Sequence, residues 1–216
     1  MPIIFTQTSP AIGIWKIEES WQEMLETIRK NEDYSREIDL DVNNKTTDKR
    51  KQEWLAARLL LLHLDGPESY IDYNENGAPV LRNNRYNISI SHTSCFVAII
   101  LSDKENPGID IEYHSERAFK LRKKYLGNKE MEMFDLLRDS LHNNMNTLAT
   151  LCWCAKETAF KALRQTEVDF IEHLHILPFT FSDKGTFSLK ETKSLQQEVF
   201  NIKYQITEDY IITWKE

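Results

Sequence analysis

The sequence predicts an α+β fold in two halves, and three observations predict it. Short apolar or alternating runs that read as strands occur on both sides of the midpoint. Each half also carries one long helical stretch rich in buried-type residues, about 48–64 in the first and about 147–163 in the second. Between them, Ser102 to Pro107 is polar and turn-like, which places a boundary near residue 105. The expected units are therefore 1–105 and 106–216. A chain of 216 residues is long enough for two small units of this kind.

The elements follow in order. Ala11 to Ile17 reads as a strand. Ser20 is a suitable N-cap for a helix running to about Lys30. Asn43-Asn44-Lys45 is a loop. From about Asp48 to Leu64, Trp54, Leu55, Leu59 and Leu62 mark an amphipathic helix, stopped by Asp65-Gly66-Pro67. A short strand at Tyr70–Tyr73 precedes the turn Asn74-Glu75-Asn76-Gly77. Tyr86 to Ser91 alternates, with Ile88 and Ile90 on one face and Ser89 and Ser91 on the other. Phe96–Leu101 is its hairpin partner. In the second half a strand at Gly108–Glu112 leads to helices at about Glu116–Tyr125 and Lys129–Arg138. His142 to Met145 is a polar interruption before a helix from about Thr147 to Leu163. Strands near Phe187–Leu189, Val199–Ile206 and Tyr210–Trp214 follow.

Composition is that of an ordinary water-soluble chain, 41% hydrophobic and 28% charged, with no apolar run of membrane-spanning length. Met1-Pro2-Ile3-Ile4-Phe5 does not read as a signal peptide. Three cysteines, an odd and sparse set, fit the reducing cytoplasm expected for this chain. The net charge of −7 argues against a general nucleic-acid binder. Two basic clusters stand out against it: Lys45, Lys49, Arg50 and Lys51, relieved only by Asp48, and Arg117, Lys120, Arg122, Lys123 and Lys124. Each is either a solvated helix face or a surface for an anionic ligand or an acidic protein.

Two segments carry most of the chemistry. In Gly108-Ile109-Asp110-Ile111-Glu112 the strand period puts both carboxylates on one face and both isoleucines on the other. Two carboxylates side by side need solvent or a cation, and carboxylate oxygens suit Mg²⁺ or Mn²⁺. In Trp153-Cys154-Ala155-Lys156-Glu157-Thr158-Ala159-Phe160-Lys161, Glu157 and Lys161 are four apart and share a helix face. Taken singly, the first pair is equally the wet side of an edge strand and the second a surface ion pair. Among apolar neighbours such as Trp153, Ala159, Phe160 and Leu163, however, unpaired charges are costly. Glu157 brought to Asp110 and Glu112 would complete a set of three carboxylate ligands. Ser91-His92-Thr93-Ser94, in the turn between two strands, offers hydroxyls, an imidazole and amides to a phosphate. Cys152 and Cys154 read as small apolar fillers. No Gly-rich phosphate loop, hydrolase triad or zinc spacing is present.

Taken together and in order, Ser89-Ile90-Ser91-His92-Thr93, Gly108-Ile109-Asp110-Ile111-Glu112 and Trp153-x-x-Lys156-Glu157-x-x-x-Lys161 resemble the 4′-phosphopantetheinyl transferases of the larger, surfactin-synthetase-activating type. The resemblance covers Gly77 to Lys161 well. It implies two similar α+β halves in a monomer, with coenzyme A in the cleft between them. The reaction it implies moves the phosphopantetheine arm of coenzyme A onto a serine of an acyl or peptidyl carrier protein, with adenosine 3′,5′-bisphosphate as the other product. By motif match, Asp110, Glu112 and Glu157 would hold Mg²⁺ on the pyrophosphate, and Lys161 would neutralise a phosphate oxygen, with Lys156 as a further candidate. Ser91 and His92 would contact phosphates of coenzyme A. Arg58, or Lys49 and Arg50, would lie near the 3′-phosphate. Glu130 matches an acidic position near the site, and the serine proton would go to Glu157 directly or to a water ordered by Glu157 or Glu130. Where the family often has Gly-Lys-Pro, this chain has Gly77-Ala78-Pro79, which leaves Arg82 or Arg85 as substitutes. The basic Arg117–Lys124 segment would dock the acidic carrier, whether of fatty acid, polyketide or nonribosomal peptide synthesis. Two other readings remain open: a Mg²⁺-dependent hydrolase of nucleotides or coenzyme A, and a non-catalytic coenzyme A or carrier-binding module.

Overall fold

The computed structural model describes residues 3–30, 38, 41–138 and 144–216. The chain folds as two compact units, Met1–Glu105 and Asn106–Glu216.

In the first unit, strands β1 (Ile3–Thr8) and β2 (Ala11–Lys16) form a hairpin, followed by helix α1 (Trp21–Arg29). Ser20 begins α1 with a reciprocal capping box. Its hydroxyl accepts from the Glu23 N–H while the Glu23 carboxylate accepts from the Ser20 N–H at 2.9 Å. Helix α2 (Asp48–Asp65) is capped by Thr47 and ends at Gly66, whose φ of 87° is open to glycine. Strands β3 (Ile71–Tyr73) and β4 (Pro79–Leu81) form a small ribbon, and β5 (Asn87–Thr93) and β6 (Phe96–Ser102) a hairpin. The main sheet has the order β1-β2-β6-β5, antiparallel throughout. Helix α2 lies over β2 and β6. Leu55, Leu60 and Leu61 are fully buried there, each contributing about 1.5–3 kcal/mol of transfer free energy.

The second unit opens with β7 (Gly108–Glu112), then α3 (Glu116–Leu121), α4 (Asn128–Arg138) and α5 (Met145–Leu163). Strands β8 (Leu174–Ile176), β9 (Lys184–Glu191), β10 (Val199–Ile206) and β11 (Ile211–Lys215) complete an antiparallel sheet in the order β7-β11-β10-β9-β8. β10 shows the alternation of a one-faced strand, with Phe200, Ile202 and Tyr204 inward and Val199, Asn201 and Lys203 outward. Helix α5 lies over β7 and β11, and the core gathers Leu148, Leu151, Phe134, Leu189 and Ile202.

Several elements differ from the sequence-based expectation. β1, β4 and β8 have no counterpart in it. β4 and β8 are three residues long, too short for a period, and β4 starts on a proline. The helix expected over Glu116–Tyr125 is α3 followed by a 3₁₀ turn at Arg122–Lys124. Helix α5 starts at Met145, so it takes in the last residue of the polar interruption expected over His142–Met145; residues 142 and 143 lie outside the described residues.

Candidate active site

The site in the second unit is set by how closely β7 approaches α5. A Cβ on Gly108 would stand 2.3 Å from the Thr158 carbonyl oxygen and 3.2 Å from the Ala162 Cβ. Gly108 therefore faces the helix with no room for a side chain. Two and four residues on, Asp110 and Glu112 face the same way, while Ile109 and Ile111 are fully buried on the other side. Helix α5 presents Lys161 and Glu157 to them. Lys161 Nζ lies 2.7 Å from Asp110 Oδ1 and donates also to the Ile109 carbonyl at 3.1 Å. Asp110 is buried and Lys161 half-buried, so this ion pair is screened less than a surface one. Trp153 Nε1 donates to Glu112 Oε1 at 3.2 Å.

Glu157 joins the two β7 carboxylates. Burial, and then the charges of Asp110 and Glu112, push its carboxyl up to about 7, against the lowering pull of Lys161. The donor set of Asp110, Glu112 and Glu157 is all hard oxygen, and its like charges favour a cation. Among the described residues, no group of three or more His, Cys, Asp or Glu side chains is arranged to hold a metal ion. The three carboxylates suit a hard ion by their chemistry, but an ion there would need oxygens from elsewhere to complete its shell. Behind this face, Cys154 is an inert thiol. Burial, and then Asp110, hold it well above the usual thiol range, and its sulfur accepts from Thr213 Oγ1 at 3.4 Å. Burial likewise pushes Cys152 up to about 12.

Two of the expected site residues lie in the core instead. Lys156 is fully buried, and its ammonium donates to Glu130 Oε2 at 2.7 Å and to the carbonyls of Tyr125, Phe170 and Leu174 at 2.6, 2.8 and 2.7 Å. Four oxygens around three protons leave none for a phosphate. Glu130 accepts in addition from the Gly127 and Ile176 N–H groups, each at 2.8 Å. It is 3% exposed and both its oxygens are engaged by these three donors, so it lies in the core away from a substrate proton. The physical reason is the helix period. Lys156 and Glu157 are consecutive, so they point about 100° apart, one inward and one toward β7.

In the first unit the expected residues divide in the same way. His92, Lys49 and Arg50 line a pocket of about 460 Å³ together with Lys45, Trp54 and Tyr73. Glu53, which also lines it, is 3.5 Å from His92 Nδ1 and 3.8 Å from Lys49 Nζ. Ser91 is buried and lies on the opposite face of β5 from His92, because neighbours on a strand alternate. Arg58 is buried too. Its guanidinium stacks 3.3 Å above the Trp54 ring and donates to the Trp54 carbonyl at 3.1 Å, which corrects its placing near an anion. Of the expected substitutes, Arg82 forms two 3.0 Å bonds to the Asp72 carboxylate and Arg85 lies 3.4 Å from Asp65. Trp54 and Tyr73 were hidden in the sequence as core and strand residues. Lys45 was visible as a member of the basic cluster.

The segment Arg117–Lys124 also divides. Arg117, Lys120, Lys123 and Lys124 are exposed. Arg122 instead stacks 4.0 Å over Phe119 and donates to the Phe119 carbonyl at 2.7 Å.

Comparison with known proteins places the chain in a family. The family model described as the 4′-phosphopantetheinyl transferase superfamily matches residues 106–215, which contain β7, α5 and all four charged site residues. A Haemophilus influenzae protein that bears the name 4′-phosphopantetheinyl transferase provisionally is 32% identical over 99 residues, 44% of this chain and 40% of its own. The 4′-phosphopantetheinyl transferases AcpT of Escherichia coli O157:H7 and K12 are each 37% identical over 70 residues, 32% of this chain and 36% of their own. The matched stretches thus span well under half the length of these relatives. With just over half of its residues matched by the family model, the chain belongs to the 4′-phosphopantetheinyl transferase superfamily.

Proposed function

We propose that this protein transfers the 4′-phosphopantetheine group of coenzyme A to a serine hydroxyl of an apo acyl or peptidyl carrier protein, in a Mg²⁺-dependent reaction. The observation that carries the reading is the meeting of Asp110, Glu112, Glu157 and Lys161 within the segment matched to the family. In the reaction the serine oxygen forms a bond to the phosphorus that bears the pantetheine arm. The bond from that phosphorus to the bridging oxygen breaks, and adenosine 3′,5′-bisphosphate leaves with the electron pair. Asp110, Glu112 and Glu157 would hold the divalent cation, which when bound would supply charge neutralisation at the pyrophosphate. Lys161, fixed by Asp110 and the Ile109 carbonyl, presents its ammonium to the same oxygens. Glu157 takes the serine proton directly or through a water that it orders.

The basic pocket of Lys49, Arg50 and His92 takes the 3′-phosphate of coenzyme A, and Trp54 and Tyr73 supply aromatic surface beside it. Exposed Arg117, Lys120, Lys123 and Lys124 steer the acidic carrier. The two units resemble each other internally, which supports two similar halves. In each, a strand (β2 or β7) leads to a long helix that packs on it and on the last strand of the unit. That last strand (β6 or β11) pairs with β2 or β7 respectively and with the strand before it. Gly13 on β2 meets Leu60 of α2 as Gly108 on β7 meets α5. The three free cysteines suit a reducing cytoplasm, and the protein acts as a monomer.

The test is incubation of the protein with apo-carrier, coenzyme A and Mg²⁺, read by intact mass. A gain of one phosphopantetheine on the carrier is expected, and Lys161→Ala should slow it about 10²–10³-fold. Breakdown of coenzyme A with every carrier unchanged would make it a hydrolase. Binding without any turnover would make it a binding module.

A further inference from the structure

Trp153 sits one helical turn before Glu157, so its indole lies on the same face of α5 as that carboxylate. Its N–H reaches 3.2 Å across to Glu112 Oε1 on β7. The ring is held from two sides. Tyr125 meets it edge-on at 5.2 Å and 70°, and Phe170 packs against it at 5.5 Å and 38°. Tyr125 is itself fixed, its hydroxyl reaching the Ala118 and Ala149 carbonyls at 3.0 and 2.9 Å. The backbone carbonyls of both Tyr125 and Phe170 accept from the same buried ammonium, Lys156 Nζ. The Lys156–Glu130 pair, which has no atom to give a substrate, therefore ties together the two residues that clamp the indole.

We propose that Trp153 is a positioning residue for the cation site. Its indole N–H holds the Glu112 carboxylate in one rotamer on the β7 face that also carries Asp110, and the Lys156–Glu130 pair sets the indole through Tyr125 and Phe170. This rests on the reading of Asp110, Glu112 and Glu157 as ligands of a divalent cation. A free glutamate on a strand edge samples several χ rotamers, and each must be given up when an ion binds. A donor that holds one of them lowers that cost. Groups that hydrogen-bond to metal ligands in this way commonly change affinity 10–100-fold when removed.

The experiment measures Mn²⁺ binding to the intact protein by electron paramagnetic resonance, together with the indole N–H resonances in a ¹⁵N-labelled sample. Trp153→Phe keeps an aromatic ring in the clamp and removes only the donor. It should weaken Mn²⁺ binding about 10-fold. In a transfer assay it should raise the Mg²⁺ concentration needed for half-maximal rate, with kcat at saturating Mg²⁺ largely kept. In the chain that keeps Trp153, one indole resonance should shift on Glu112→Gln, and in the unsubstituted chain the same resonance should shift on adding Mg²⁺. Equal Mn²⁺ affinity in the protein with and without Trp153→Phe overturns the positioning role and leaves the cation site standing. A protein that binds no Mn²⁺ overturns the cation assignment and this role with it. Should Trp153→Phe fail to fold, the resonance pair decides alone: no indole signal that answers both Glu112→Gln and Mg²⁺ overturns the proposal.

Discussion

Lys156 and Glu157 are adjacent charges with opposite situations. Lys156 is in the core, where burial lowers its pKa while Glu130 holds the charge in place. Removing one partner of a buried pair strands the other, so Lys156→Met should cost about 3–5 kcal/mol in urea unfolding. Replacing Glu130 by Met as well should recover part of that loss. Glu157 has the opposite sign of effect. Its carboxyl is raised from 4.5 to about 7 in the folded chain. Between those values the folded state binds more protons than the unfolded one, so stability falls as pH rises through the window. With no cation present, Glu157→Gln should therefore gain stability relative to the parent at pH 8 and match it at pH 4. Thermal melts at the two pH values check this, and Mg²⁺ at pH 8 should raise the melting temperature of the parent more than that of the variant.

At the scale of elements, the contact between β7 and α5 decides whether the four charges meet. Gly108 is the point of closest approach, and the group facing it is backbone, the Thr158 carbonyl, which cannot swing aside. Gly108→Ala should force the strand from the helix, lowering stability by about 1–3 kcal/mol and Mn²⁺ affinity together. A variant that melts normally and binds Mn²⁺ normally would show that β7 is free to shift. The basic segment after β7 is a second element with a separable role. Arg122 serves the packing of Phe119, so the docking test belongs to its exposed neighbours. Reversing Arg117, Lys123 and Lys124 to Glu should raise KM for the carrier about 10-fold or more, while coenzyme A affinity changes little. Calorimetry with coenzyme A and carrier titrations of rate separate the two. Equal losses in both would remove this segment from carrier recognition.

At the scale of the molecule, among the described residues no helix is long and apolar enough to cross a membrane, and the two units each build an antiparallel sheet under a long helix. The local parts of this were legible in the sequence. The alternation of Asp110 and Glu112 and the four-residue spacing of Glu157 and Lys161 follow from strand and helix periods, which need only near neighbours. Capping of α1 by Ser20 and the stop of α2 at Gly66 are local for the same reason. Short strands such as β8 were not legible, since three residues show no period and pairing with β9 is what makes Leu174–Ile176 a strand. Tertiary structure alone decided which charges are used up inside. The sequence by itself determined that Asp110, Glu112, Glu157 and Lys161 could share a site. It could not separate them from Glu130, Lys156 and Arg58, because a charged side chain reads the same whether it meets solvent or a buried partner. Glu130 finds Lys156 across 26 residues and Glu112 finds Trp153 across 41. Contacts at such separations are set by how helix and sheet pack, and that packing places the pair in the core and the carboxylates at the face of β7.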